Sequence, residues 1–196
     1  MEKSTQGKAA YISRKEAAKI RSFLTLDSHR LMWDIARYTG ERWGAIAQLK
    51  VTDIWSDPVR RYLRETIVFR KETRKRGGGK EAIAREIEIH PELHRSLSAY
   101  IPPTVGWLFP SPSDLLHHVT LRSCDKFLRR AVTLAGLSHK KISTHSTRRS
   151  FITDLSRNGV DRRVIKELTG HGSYEMLDKY IESDPQARRR ALASLI

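Results

Sequence analysis

His145-Ser146-Thr147-Arg148, then Leu168-Thr169-Gly170-His171-Gly172, then Tyr180, form an ordered set of groups suited to phosphate chemistry. His145 and Arg148 are three positions apart, His171 stands 23 beyond Arg148, and Tyr180 nine beyond His171. A guanidinium fork grips phosphate oxygens, an imidazole moves or donates a proton, and a phenol can attack phosphorus. The surrounding sequence predicts helices: one from about Ser146 to Arg157, stopped by Asn158-Gly159, and one capped by Asp161, with Val164, Ile165 and Leu168 inward and Gly170 at its end. A third helix, capped by Ser173, is expected to carry Tyr180.

Working outward, Leu121, Cys124, Leu128, Ala131 and Ala135 recur at helical spacing before Gly136. Near the start, Ser13 and Glu16 form a capping-box pattern ahead of an apolar face of Ala17, Ile20, Phe23 and Leu24. A second helix begins at Asp27 or Ser28, turns Leu31, Ile35 and Tyr38 inward, and ends at Gly40. A short helix is expected from about Arg42 to Leu49, and Asp57-Pro58 marks a turn. Thr66–Phe69 and Ala82–Ile89 read as strands, with Ile83, Ile87 and Ile89 on one face and Gly77-Gly78-Gly79 between, giving a β-hairpin with a long basic tip. His90-Pro91 opens a helix to about Tyr100, and residues 102–112 read as loop around Trp107-Leu108-Phe109. The fold class is therefore α+β, mainly α, with one small antiparallel sheet. Residues 1–11 read as a flexible leader, 12–184 as one catalytic domain and 185–196 as a helical tail.

Lys and Arg number 37 against 22 Asp and Glu, a formal charge of +15 and a pI near 10.3. That excess points to a polyanionic partner, nucleic acid before an acidic membrane. Residues 60–85 alone hold ten Lys or Arg and three Glu. The single cysteine, Cys124, rules out an intrachain disulfide and fits a reduced compartment. The polar, charged N-terminus predicts no secretory leader, and no apolar run approaches the ~18–20 residues that span a bilayer. Zinc-ligand spacing and a GxxxxGK[ST] loop are missing from the sequence, so no metal or nucleotide cofactor is expected. His117-His118 lacks partners at metal spacing and reads as surface, while Trp33, Trp43, Trp55 and Trp107 read as core or interface aromatics.

Thr39-Gly40-Glu41-Arg42, the basic hairpin, His145-Ser146-Thr147-Arg148, Leu168-Thr169-Gly170-His171 and Tyr180 together resemble the catalytic domain of tyrosine recombinases, the phage-integrase family, from about Tyr11 to Ile181. The resemblance implies a site-specific DNA recombinase acting through a covalent 3′-phosphotyrosyl intermediate, without metal or high-energy cofactor. Tyr180 would be the nucleophile, Arg42 and Arg148 would hold the non-bridging oxygens, His145 would assist proton movement at the tyrosine, and His171 would donate to the phosphate. A hairpin lysine would protonate the leaving 5′-oxygen: Lys75 is preferred, with Lys80 and Lys71 as alternatives. Arg70, Lys71, Arg74, Arg76, Lys80 and Arg149 would touch DNA. The expected partners are double-stranded DNA and further copies of the chain in a tetrameric synapse, with accessory DNA-bending proteins and no membrane, in a cytoplasmic, nucleoid-associated setting. The tail would dock on a neighbouring protomer. The chemistry agrees with these roles, because two permanently charged forks suit the extra charge of a pentavalent phosphorus, and a phenol of pKa about 10 needs help to ionise.

The sequence departs from the family in three ways. Ala45 stands where an acidic residue usually follows the first arginine by three positions, and Glu41 lies on the other side of Arg42. Thr147-Arg148-Arg149 replaces Leu-Arg-His. About ten residues precede the first helix, as in short members such as the fimbrial inversion recombinases that lack the N-terminal core-binding domain. Plainer roles also exist: Tyr180 as a packed amphipathic residue with Tyr174 as rival nucleophile, His171 as a helix joint, Arg42 as a surface ion pair and His145 as a cap. The alternatives at the level of function are a catalytically weak DNA-binding regulator and a type IB-like DNA-relaxing enzyme.

Overall fold

The computed structural model describes residues 9–73 and 84–180, with residues 189, 192, 193 and 195. The N-terminal helices form as the sequence predicts. Ser13 and Glu16 close a reciprocal capping box on α1 (Arg14–Ser22). Ala17, Ile20 and Leu24 are buried, but Phe23 sits at the C-cap and turns outward, 37% exposed. The leader tightens earlier than expected: the Ala10 amide donates to the Lys141 carbonyl (3.0 Å), Tyr11 Oη to Asp154 (2.7 Å), and the Ile12 amide to Ser150 Oγ (2.8 Å).

Helix α2 (Asp27–Thr39) buries Leu31 and Ile35 and ends in left-handed Gly40. Tyr38 is half-buried and stacks on His90. Asp34 is buried on the same helix, and its carboxylate accepts both fork nitrogens of Arg21 (2.7 and 2.8 Å) and the Ser96 hydroxyl (2.8 Å), which satisfies a charge that would otherwise be costly inside. Helix α3 (Trp43–Ala47) is shorter at both ends than the predicted 42–49.

Among the described residues, three two-stranded antiparallel ladders stand where one small sheet was expected: β1 (Trp55–Asp57) with β2 (Tyr62–Leu63), β3 (Thr66–Phe69) with β4 (Arg85–Glu88), and β5 (Pro110–Ser111) with β6 (Asp114–His118). The second is the predicted hairpin, in register from Thr66↔Glu88 to Phe69↔Arg85, with Ile67, Phe69 and Ile87 buried on one face. The other two escaped prediction because their strands are two to five residues long and β6 has no buried residue, so neither shows a period-two pattern. Residues 110–112 were expected as loop, and Pro110–Ser111 is instead a strand. The basic tip, with Arg74, Lys75, Arg76 and Lys80, lies outside the described residues.

Pro91 opens α4 (Pro91–Ala99), whose N-cap His90 accepts from the Glu92 amide through Nδ1. In α5 (Leu121–Leu134), Cys124, Leu128 and Ala131 face inward, whereas Leu121 is half exposed. Burial pushes the Cys124 thiol up to about 12, so it is an unreactive core side chain. Helix α6 (Thr144–Arg157) starts two residues before the predicted Ser146, capped by Ser143, and packs across α2. Helix α7 (Arg162–Thr169) buries Ile165 and Thr169 but leaves Val164 41% exposed. Helix α8 (Tyr174–Asp178) stops two residues short of Tyr180, which follows it in a turn. Trp33, Trp43 and Trp55 anchor the main core, while Trp107 is only half-buried and donates to the Leu116 carbonyl. Most of the tail from residue 185 lies outside the described residues; Leu192 and Leu195 are exposed. Among the described residues no helix is long and apolar enough to cross a membrane.

Candidate active site

Four chain junctions supply the site: the α2–α3 turn, the first turns of α6, the end of α7 and the end of α8. Arg148 is their hub. It is 1% exposed, and its Nη1 donates to the Gly40 carbonyl (2.9 Å) and its Nη2 to the Thr169 carbonyl (2.7 Å). Nη2 also reaches His171 Nε2 at 3.2 Å, and the Glu41 carboxylate lies 3.9 Å from Nη1. Arg148 Nε has no hydrogen-bond partner among the described residues. Burial lowers the Arg148 pKa below the usual arginine value, opposed first by Glu41. The group remains charged at neutral pH.

Left-handed Gly170 ends α7 and turns the chain so that His171 faces Arg148. Thr169 Oγ1 donates to the Ile165 carbonyl (2.6 Å) and lies 2.6 Å from His171 Nδ1. With its one hydrogen committed, Thr169 accepts, so Nδ1 carries the imidazole hydrogen and Nε2 presents a lone pair to Arg148. Burial, then Arg148, Arg42 and Arg85, push the His171 pKa down to about 3. The histidine is therefore neutral in a pocket dominated by guanidiniums, which is an environment that attracts an anion.

Tyr180 is half-buried against Ile152, Ile165 and Leu177, its ring 5.3 Å from that of His171 and tilted by 52°. Helix α6 fixes this segment at two consecutive carbonyls: Arg149 Nη1 donates to Lys179 (3.3 Å) and Thr153 Oγ1 to Tyr180 (3.0 Å). Arg149, expected to touch DNA, is thus 8% exposed and anchors the backbone beside Tyr180. The rival Tyr174 packs instead under the cations of Arg162 and Lys166, 5.3 and 5.0 Å away.

His145 is exposed in the first turn of α6 and lines two cavities. One, about 220 Å³, is shared with Arg42, Arg148, Gln48 and Thr73; the other, about 600 Å³, is shared with Lys141, Arg149 and Tyr180. It therefore borders both the cavity lined by Arg42 and Arg148 and the one lined by Tyr180. Arg42, half-buried at the N-cap of α3, acts electrostatically on both Arg148 and His171. Arg70, expected on the DNA face, pairs with buried Asp53 (3.1 Å) and lies over Trp107, while Lys71 is exposed. Of the predicted site residues, Arg42, His145, Arg148, His171 and Tyr180 come together; Lys75 lies outside the described residues. Among the described residues no cluster of ligands could hold a metal ion.

Two members of the site went unrecognised in the sequence. Arg85 is 8% exposed and donates to the Leu168 carbonyl and to Glu41, which is itself 1% exposed. The signal for Arg85 was its position: it shares strand parity with Ile83, Ile87 and Ile89, and a charge on an inward face demands a partner. Glu41 lies on the other side of Arg42 from the position of Ala45, yet the left-handed turn at Gly40 brings it inward.

Solved structures define the class to which this fold belongs. XerA recombinase superposes with a TM-score of 0.73 at 22% identity, over 98% of this chain and 65% of that one. XerH site-specific recombinase, solved bound to difH substrate in a pre-cleavage complex, gives 0.66 at 22% identity, over 99% of this chain and 56% of that one. The fold is that of a tyrosine-recombinase catalytic domain. The sequence model of the phage integrase family matches residues 11–187, and the chain belongs to that family. Tyrosine recombinase XerD of Rickettsia bellii is 31% identical over 166 residues, 79% of this chain and 51% of that protein. Tyrosine recombinase XerC of Syntrophus aciditrophicus is 42% identical over 62 residues, 32% of this chain and 20% of that protein. The chain spans about half the length of the first of these relatives.

Proposed function

We propose that this protein breaks and rejoins double-stranded DNA at specific sites through a 3′-phosphotyrosyl bond. The observation that carries the reading is the approach of the Tyr180 ring to within 5.3 Å of His171, which in turn contacts Arg148 at 3.2 Å, in a pocket that Arg42 also charges. Tyr180 Oη attacks the scissile phosphorus and the bond from phosphorus to the 5′-oxygen breaks. His145, at the mouth shared with Tyr180, takes up the phenol proton. Arg42 and Arg148 stabilise the charge that grows on the non-bridging oxygens. The leaving 5′-oxygen takes a proton from the hairpin lysine, for which Lys75 is our choice; Thr73, the last described residue ahead of it, lines the Arg42–Arg148 cavity. The phosphotyrosine conserves the bond energy, so a 5′-hydroxyl from a second strand reverses the step.

The phosphate's negative charge opposes the guanidiniums that keep His171 neutral, and so favours an imidazole that donates to the phosphate. Lys71 and the basic tip with Arg74, Arg76 and Lys80 supply phosphate contacts, so affinity falls steeply with salt. Strand exchange between two sites calls for four protomers assembled on DNA, helped by DNA-bending proteins, with the tail docking between neighbours. A nicked suicide substrate tests the reading. The expected result is an SDS-resistant protein–DNA adduct, formed in EDTA and lost in Tyr180→Phe. An intact Tyr180 that yields no adduct on DNA carrying its own site would refute it.

A further inference from the structure

Glu41 and Arg85 form a buried ion pair that the reaction as described above does not use. Arg85 is the first residue of β4, and among the described residues its pairing with Phe69 is the rung nearest the hairpin tip. Its guanidinium leaves the ladder and donates to the Glu41 carboxylate and to the Leu168 carbonyl in α7. The same Glu41 accepts the Arg42 amide through Oε1 (2.8 Å) and faces Arg148 Nη1 at 3.9 Å. One carboxylate thus joins the backbone of one catalytic arginine, the head group of the other and the root of the hairpin. Ala45, which offers no carboxylate, lines the same cavity as Glu41, Arg42 and Arg148.

We propose that the Glu41–Arg85 pair is a latch that holds the β3–β4 hairpin in register with Arg148, with Glu41 as the positioning carboxylate that Ala45 cannot be. The inference rests on the recombinase reading for its link to chemistry, but the latch itself is a matter of geometry. A desolvated charge pair is strongly directional because neither partner can be exchanged for water. Fixing the hairpin root relative to Arg148 fixes where anything the hairpin delivers meets a phosphate bound there. A misplacement of about 1 Å in such a constellation costs on the order of 10²-fold in rate.

The test compares wild type with Glu41→Gln, which keeps the shape and removes the charge. Three readouts are needed: amide hydrogen exchange in β3 and β4, equilibrium binding of an unnicked DNA duplex, and the rate of adduct formation on the nicked substrate. The latch predicts faster exchange at residues 85–88 than at α1 and α2, adduct formation slowed at least tenfold, and duplex binding within about threefold of wild type. A side chain that serves only the core would lower binding and adduct formation together and leave the hairpin no looser than the helices; that result overturns the latch. Unchanged exchange or an unchanged adduct rate also overturns it. Should Glu41→Gln not fold, Arg85→Gln takes its place, and loss of fold in both variants overturns the proposal, because a latch must be separable from the core. If wild type forms no adduct, the recombinase reading fails by itself and the exchange arm still decides the latch.

Discussion

Arg148 donates through Nη1 to the carbonyl of Gly40 at 2.9 Å, joining α6 to the left-handed turn that ends α2 across 108 residues of sequence. That turn also carries Glu41 and Arg42, so one backbone conformation aims three functional groups. Gly40 has φ of +61°, and a Cβ there would sit 2.4 Å from Phe151 Cδ1 and 2.8 Å from its Cγ. Left-handed strain and overpacking each cost about 1–3 kcal/mol. Gly40→Ala should therefore destabilise the fold by about 2–6 kcal/mol in urea titration, and slow adduct formation in whatever fraction stays folded. A variant as stable as wild type would show that the turn tolerates a side chain.

The two arginines should not tolerate replacement by lysine. A lysine keeps the charge but is a point donor rather than a fork, and it cannot span the Gly40 and Thr169 carbonyls as Arg148 does. Arg148→Lys and Arg42→Lys should each slow adduct formation by about 10²–10³, with DNA binding in filter or gel assays reduced far less. Equal losses in both measurements would move these residues from catalysis to binding.

Stability should depend on pH through His171. Its folded pKa is depressed to about 3 from 6.5, first by burial and then by Arg148, Arg42 and Arg85. Between those values the unfolded chain binds a proton that the folded protein does not, so stability is complete above the unfolded value and falls as pH drops toward the folded one. The slope from this group is up to about 1.4 kcal/mol per pH unit. Denaturation midpoints at several pH values should show it, and His171→Gln should flatten the curve over the same window. An identical slope in the variant would place the titration elsewhere.

Arg149 offers a test of burial against charge. Its guanidinium holds the Lys179 carbonyl, next to Tyr180, from inside the protein. Arg149→Ala should slow adduct formation at least tenfold while leaving the salt dependence of DNA binding nearly unchanged. A shallower salt slope would mean that Arg149 neutralises a phosphate directly.

Glu16 ties α1 to the segment ahead of α6 through Lys140 Nζ at 2.6 Å. That hydrogen bond, with those of Ser13, holds its carboxyl at about 2 against a usual 4.5. The contribution is therefore present above the usual carboxylate value and is lost as pH falls toward about 2. Both side chains are partly exposed, so Glu16→Gln should cost under about 1 kcal/mol at neutral pH. The difference from wild type should vanish near pH 2 in thermal melts.

The sequence by itself determined most of the described helices and the pairing of β3 with β4, because capping boxes, glycine stops and periodic burial are local signals that each short segment carries whole. Arg42, His145, Arg148, His171 and Tyr180 were singled out by a different signal, the resemblance of their motifs, in type, order and spacing, to those of tyrosine recombinases. Tertiary structure alone decided what surrounds them. It turned Glu41 inward and paired it with Arg85, 44 positions away, and it sent Arg149 to a backbone carbonyl instead of outward. It also exposed Phe23, Leu121 and Val164 and formed two ladders too short to leave a pattern. The physical reason is that a buried charge is settled by whichever opposite charge the packing brings within a few ångströms, and no local spacing encodes that distance.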